Sequence, residues 1–398
     1  MEIEIAKQEL SLGLQRIQGI ISSKNIDRIF SFCLIETIGD SGIKINATNK
    51  HQTIIGKYDA AVKTEGKVCV EAKILFDIVK VLDDGVVELM LVNEKLEIKC
   101  NKSSFHLPTK NPNSFTTLPN FSNEEVEELL TIKSETLTQY INSVNFAVFP
   151  TASKPLDNMF FTYDPENNNL LTFVASNGQA FSEIDFHPEP ERLKTNKGFE
   201  FLLPKPSLKE LLLLLGSCDP QDITIKKAGN HLLFIFNRME LAIIPTNSPY
   251  VNFRKAYPEG NDVEVSIDRQ DFINSVRKVS QVLEQTSVMI KLYFTAGSLK
   301  FEAVNNLESG GDAEDIIDIK YEERDITIAL NNVFLLETLS HFVSDTVTIK
   351  IKDSKTPVIF SDDKRAEYLG ILNTMTIVDD EEDLEDDYEE EPDDDSPY

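Results

Sequence analysis

The sequence predicts an α+β protein built from three copies of one strand-and-helix unit. A recurring strand ending, a recurring helix pattern and recurring turn signals support this. The strand ending is Ala-x-Asn, in Ile45-Asn46-Ala47-Thr48-Asn49, Phe173-Val174-Ala175-Ser176-Asn177 and Phe301-Glu302-Ala303-Val304-Asn305; the three alanines are 128 residues apart in both steps. A period of this length means repeated structural units in tandem.

Each unit opens with a strand and a helix whose apolar residues recur three and four apart. In the first unit these are Leu10, Leu14, Ile17 and Ile21, in the second Leu137, Ile141 and Val144, and in the third Phe272, Val276, Val279 and Leu283. Ser134 and Asp268 have the chemistry of N-caps. A second helix follows about 60 residues later in each unit. Its apolar faces are Leu75, Ile78, Val79 and Leu82, then Leu208, Leu211, Leu212 and Leu215, then Leu335, Leu336 and Leu339. Alternating β-rich runs lie between, joined at Gly39-Asp40-Ser41-Gly42, Asn167-Asn168-Asn169 and Ala296-Gly297-Ser298. Each unit is thus expected to lay two helices on antiparallel sheet. Loop-like stretches at Asn111–Glu125 and Thr246–Asp262 place the limits at 1–125, 126–256 and 257–377, with a tail over 378–398.

Over 398 residues the formal charge is -28, which at first sight disfavours phosphate binding. Asp379 to Asp395 holds 14 acidic residues and no basic one, so the tail carries half of that excess. A tail of this composition is expected to stay disordered and solubilising, or to compete with a nucleic acid for basic residues. The four cysteines lie far apart and suit a reducing compartment. No signal peptide and no apolar run of roughly 20 residues is present, so a soluble, cytoplasmic protein without membrane contact is expected.

Catalytic patterns are missing. The sequence has no Gly-x-Gly-x-x-Gly or Walker loop, no Gly-x-Ser-x-Gly elbow and no metal spacing among its five histidines. Asp312, Glu314 and Asp315 follow Ser309-Gly310-Gly311 and are expected in a solvated loop. No enzyme, metal or cofactor is expected.

Six stretches carry a family resemblance. They are Gly19-Ile20-Ile21-Ser22-Ser23-Lys24; Phe105-His106-Leu107-Pro108 leading to Leu118-Pro119; Leu156-Asp157-Asn158-Met159-Phe160-Phe161; Val174-Ala175-Ser176-Asn177-Gly178; Leu203-Pro204-Lys205; and Asn252-Phe253-Arg254-Lys255-Ala256-Tyr257-Pro258. In order and spacing they resemble the beta subunit of bacterial DNA polymerase III over nearly all of residues 1 to 377. The resemblance implies three tandem DNA-clamp domains forming half of a ring. Two subunits would close head to tail around duplex DNA, with sheets outside and helices facing the hole. Such a homodimer would tether the replicative polymerase as a processivity factor, opened by an ATP-using loader. A sliding contact of this kind needs sequence-independent phosphate attraction.

Three sets of site residues follow from the resemblance and the helix positions. DNA contacts are expected from Lys24, Arg28, Lys73, Lys80, Lys154, Lys205, Lys209, Arg269, Arg277 and Lys278. A pocket for short peptides of polymerases and other clamp-binding proteins is expected at Leu156, Ser176, Gly178, Phe181, Pro249, Ala256, Leu369 and Ile371. Two departures from the family pattern, Gln179-Ala180 and Ile371-Leu372-Asn373-Thr374-Met375, imply an altered peptide preference. Dimer contacts are expected at Phe105, Leu107 and Lys73, meeting Val282 of a second copy. The competing readings are a clamp-like interaction scaffold that no longer encircles DNA and an enzyme with an acidic site.

Overall fold

The structure, a computed structural model, describes residues 1–21, 28–49, 51–116, 126–148, 156–283, 288–304 and 311–377. The acidic tail lies outside the described residues. Six α-helices and large antiparallel sheets make up the described chain, as the α+β expectation required.

One local grammar generates all six helices. Each begins at the residue after a strand: β1 (Glu2–Ala6) into α1 (Lys7–Arg16), β6 (Lys67–Glu71) into α2 (Ala72–Val81), β10 (Val126–Lys133) into α3 (Ser134–Asn145), β14 (Phe199–Pro204) into α4 (Lys205–Gly216), β18 (Val263–Asp268) into α5 (Arg269–Val279) and β22 (Ile326–Asn331) into α6 (Asn332–Ser340). The helices pack in pairs, α1 on α2, α3 on α4 and α5 on α6. Only part of the expected capping is present. Asp268 accepts a 2.8 Å hydrogen bond from the Asp271 amide and caps α5. Ser134 is instead the first helical residue, and its Oγ accepts from the Gln221 amide at 3.1 Å. Asp268→Ala is therefore expected to lower stability by about 1 kcal/mol in urea denaturation.

The Ala-x-Asn signature now has a physical reading. Ala47 in β3 (Gly42–Thr48), Ala175 in β12 (Leu170–Ser176) and Ala303 in β20 (Ser298–Val304) are all buried. Asn49 Oδ1 then accepts from the amides of His51 and Gln52, and Asn177 Oδ1 from those of Gln179 and Ala180. The asparagine thus turns the chain into the next strand; Asn305 lies outside the described residues. The other turn signals also hold: Gly39, Asn168, Asn169 and Gly297 have positive φ between paired strands, where glycine and asparagine fit best.

The described chain divides into two compact units. The first comprises Met1–Tyr257 with His341–Val343 and Lys364–Ile371. It holds a 13-stranded sheet in the order β10, β15 (Asp222–Ala228), β16 (His231–Ile235), β17 (Met239–Ile243), β4 (Gln52–Asp59), β3, β2 (Phe32–Ile38), β6, β9 (Ser103–Lys110), β8 (Lys95–Cys100), β7 (Val86–Val92), β1 and β5 (Ala61–Thr64). The pairing of β17 (Met239–Ile243) with β4 (Gln52–Asp59) joins the strands of the first and second repeats. A second sheet of this unit runs β14, β11 (Asn158–Asp164), β12, β13 (Ala180–Phe186) and β25 (Tyr368–Leu372). On one of its faces Phe161, Phe173 and Ile184 are buried, and Tyr140 of α3 packs on Phe173 and Phe186.

The second unit comprises Pro258–Ser340, Ser344–Asp363 and the described chain over 372–377. It contains the ladder of β18, β23 (Thr346–Ile351) and β24 (Val358–Ser361) and a four-stranded sheet in the order β21 (Asp312–Asp318), β20, β19 (Met289–Thr295) and β22. Phe272 of α5 packs on Phe301 of β20, with ring centroids 5.4 Å apart. One expectation is overturned here. Asp312, Glu314 and Asp315 lie in the strand β21 (Asp312–Asp318), not in a loop. All seven of its residues pair with β20, so backbone pairing prevails over an acidic sequence.

Candidate nucleic-acid and partner-binding surfaces

Positive charge is spread thinly over the helices. On α2, Lys73 and Lys80 are two turns apart and both exposed, with Asp77 between them. Lys209 on α4 and Arg277 on α5 are likewise exposed. These four make no ion pair among the described residues. Three other predicted contacts are already engaged. Burial lowers the pKa of Lys205, whose Nζ donates to the Val148 carbonyl. Arg269 Nε donates to the Ser344 carbonyl at 2.8 Å, and Lys278 forms a 2.9 Å ion pair with Asp315. Lys24, Lys154 and the side chain of Arg28 lie outside the described residues. The helices α3 and α6 carry no basic residue.

The predicted peptide-pocket residues all lie in the first unit. Ser176, Gly178 and Phe181 lie on the hairpin of β12 and β13 (Ala180–Phe186), where Gly178 adopts φ +86°. Leu369 and Ile371 lie on β25 (Tyr368–Leu372), the neighbour of β13. Pro249 and Ala256 belong to a strap, residues 246–257. Leu156 is half-buried just ahead of β11 (Asn158–Asp164). Phe181 and Ile371 are themselves buried.

The sequence reading missed how that strap is held. Its Tyr250 stacks on Phe160 with centroids 4.8 Å apart, and Phe253 and Tyr257 pack against Phe181. The Tyr257 hydroxyl donates to the carboxylate of Glu183, which is 5% exposed. Burial first, then the neighbouring charge of Asp185, pushes that carboxyl up to about 7, while the Tyr257 bond and Arg254 pull it down. Three aromatics within eight residues of a Pro-flanked linker were the available signal. Two cavities flank the strap. One of about 680 Å³ is lined by Phe160, Thr172, Phe199 and Arg254, and one of about 360 Å³ by Leu202, His231 and Tyr250. None of the eight predicted pocket residues lines either cavity.

The predicted dimer residues Phe105 and Leu107 are half-buried on β9 (Ser103–Lys110). On one side β9 pairs with β8 along its length; on the other only Thr109 and Lys110 pair, with β6. Ser103–Pro108 is therefore an open edge among the described residues. Val282 is half-buried in the short turn after α5. No group of metal ligands occurs among the described residues, and no helix there is long and apolar enough to cross a membrane.

Comparison with known proteins places this architecture. Residues 1–119 match the N-terminal domain of the DNA polymerase III beta subunit, and residues 254–372 match its C-terminal domain. The chain belongs to the DNA polymerase III beta subunit family. It is similar to beta sliding clamps across that family. With the one from Caulobacter vibrioides it is 22% identical over 367 residues, 91% of this chain and 96% of that protein. With the one from Treponema pallidum it is 24% identical over 358 residues, 89% of this chain and 93% of that protein. The solved structure of Caulobacter crescentus pol III beta superposes with a TM-score of 0.86 at 19% identity, covering 95% of this chain and all of that one. A sliding clamp from Bartonella birtlesii bound to griselimycin gives 0.85 at 23% identity, again over 95% and 100%. The beta subunit fold thus persists at identities where most side chains have changed.

Proposed function

We propose that this chain is a DNA sliding clamp, a non-catalytic processivity subunit that tethers a DNA polymerase to its template. Membership of the beta subunit family at both ends of the chain carries this reading. The three strand-and-helix repeats then correspond to clamp domains at 1–125, 126–256 and 257–377. Two copies close head to tail, and a separate ATP-using loader opens the ring.

The free edges suit that closure. The open side of β9 and the outer side of β21, the last strand of its sheet, both present unpaired backbone, and Ile316 on β21 is 61% exposed. Such edges are satisfied when a second copy continues the sheet. Lys73, Lys80, Lys209 and Arg277 supply loose phosphate attraction, and Asp77 between the two α2 lysines weakens that grip. The strap, the β12–β13 hairpin and β25 form the peptide-binding surface. The scaffold alternative draws on the acidic charge and the sparse basic residues of the helices, and the family match does not favour it.

Loaded by its cognate loader and ATP, the full chain is expected to stay on nicked circular duplex and to run off after linearisation. Equal loss from both DNAs would overturn encirclement. Replacing Phe105 and Leu107 together by Ala is expected to weaken self-association about 100-fold in sedimentation, as loss of a central interface anchor does. A wild-type chain that sediments as a monomer at every concentration would refute the ring.

A further inference from the structure

The four-stranded sheet of the second unit has one face turned to α5 and one turned away from it. Leu292, Phe294 and Phe301 are buried on the α5 side. Lys291 and Tyr293 of β19 alternate with them, so they and Thr327, paired with Tyr293, occupy the opposite face. There a groove of about 750 Å³ is lined by Lys291, Tyr293, Thr327, Lys355, Met375 and Ile377. The chain itself leads into it: the Met375 amide donates to the Ala329 carbonyl of β22 at 2.8 Å, and Ile377 closes the described chain in the groove's wall.

The charges around the groove are unevenly matched. Glu302 lies across from Lys291, but its Oε1 accepts from the Tyr293 hydroxyl at 3.0 Å and its Oε2 pairs with Lys300 at 2.9 Å. Glu314 also pairs with Lys300. The Asp353 carboxylate accepts from the amides of Lys355 and Thr356. Lys291 and Lys355 make no ion pair among the described residues. Beyond Ile377 come Val378 and then Asp379-Asp380-Glu381-Glu382.

We propose that Asp379–Glu382 seats in this groove against Lys291 and Lys355, holding the acidic tail on the sheet face opposite α5. Reach is not limiting, because Asp379 lies two residues, at most about 7 Å, beyond Ile377. Affinity need not be high either. A solvent-exposed ion pair contributes about 0.2–1 kcal/mol. A short tether raises the local concentration of its own end to about the millimolar range, so a few such pairs suffice. The tail then covers the sheet and leaves the basic residues of the helices uncovered. The proposal does not depend on the clamp reading.

Carbodiimide coupling of the full chain at low salt, read by mass spectrometry, tests it. Amide links from Lys291 or Lys355 to Asp379–Glu382 are expected within one copy, distinguished by mixing 14N- and 15N-labelled protein. A second readout does not need the lysines as reagents. In 15N spectra, the amide resonances of Asp379–Glu382 are expected to move to those of a free 378–398 peptide in the Lys291→Gln/Lys355→Gln variant, and in wild type at about 0.5 M salt. The variant's melting temperature serves as the folding control. Links from the tail mainly to Lys73, Lys80, Lys209 or Lys278, links only between copies, or wild-type resonances already matching the free peptide would each overturn it.

Discussion

Replacing Arg365 with Ala is expected to destabilise the first unit by about 2–4 kcal/mol, because two acceptors lose a charged donor and a buried side chain is removed. The residue is 3% exposed, and its Nη2 donates to Ser143 Oγ on α3 at 2.8 Å. Its Nη1 donates to the His341 carbonyl, and the guanidinium lies 5.1 Å from the centre of the Tyr368 ring. One planar cation thus ties the segments 341–343 and 364–371 to α3 through several donors. Lysine has one point of charge and no fork, so Arg365→Lys is expected to recover less than half of the loss. Denaturant unfolding of the three proteins checks this; an alanine variant within 1 kcal/mol of wild type would show the network to be dispensable.

Glu183→Gln is expected to stabilise the protein by about 3 kcal/mol at pH 8 and by less than about 1 kcal/mol at pH 5. The folded carboxyl titrates at about 7, against an ordinary 4.5. The folded state holds that proton more tightly, so the contribution is complete below about 4.5 and is lost as pH rises through about 7. The amide keeps the bond from Tyr257 and carries no charge to bury. His341 works in the opposite sense. Burial, then the charge of Arg365, depresses it from 6.5 to about 4, so its contribution is complete above about 6.5 and is lost as pH falls through about 4. Between pH 4.5 and 6.5 the two slopes oppose each other in wild type. The glutamine variant lacks the Glu183 slope, so its stability is expected to fall less, or climb more, than that of wild type across that interval. Urea titrations at pH 5, 6.5 and 8 decide the matter. A constant difference between the proteins would mean that Glu183 is ionised throughout.

What could be read from sequence was local. Buried alanines, turn asparagines and apolar helix faces recur at a fixed spacing because each is set by neighbours within a few residues. Even there some faces shifted: Leu214 is buried with Leu208, Leu211 and Leu215, and Leu283 lies beyond the end of α5. Pairings between distant strands were illegible. The β17–β4 junction joins residues almost 190 apart, and nothing in either strand names its partner. β21 was misread because Asp315 turns toward Lys278 while Ile316 faces outward, the reverse of a half-buried strand. The candidate site divided in the same way. Helical spacing located Lys73, Lys80, Lys209 and Arg277, but it could not show that Lys205, Arg269 and Lys278 already have partners. Arg365 and Glu183 were out of reach because their hydrogen-bond partners, Ser143, His341 and Tyr257, lie on chain segments far away in sequence.

The β17–β4 junction also has a mechanical consequence. Five consecutive residues, Met239 to Ile243, lie against Gly56 to Gln52 in unbroken antiparallel register. A force along these strands loads all the rungs together, whereas a force across them would peel one rung at a time. The seam therefore behaves as a riveted lap joint, stiff in shear, and carries tension from one repeat into the next without hinging.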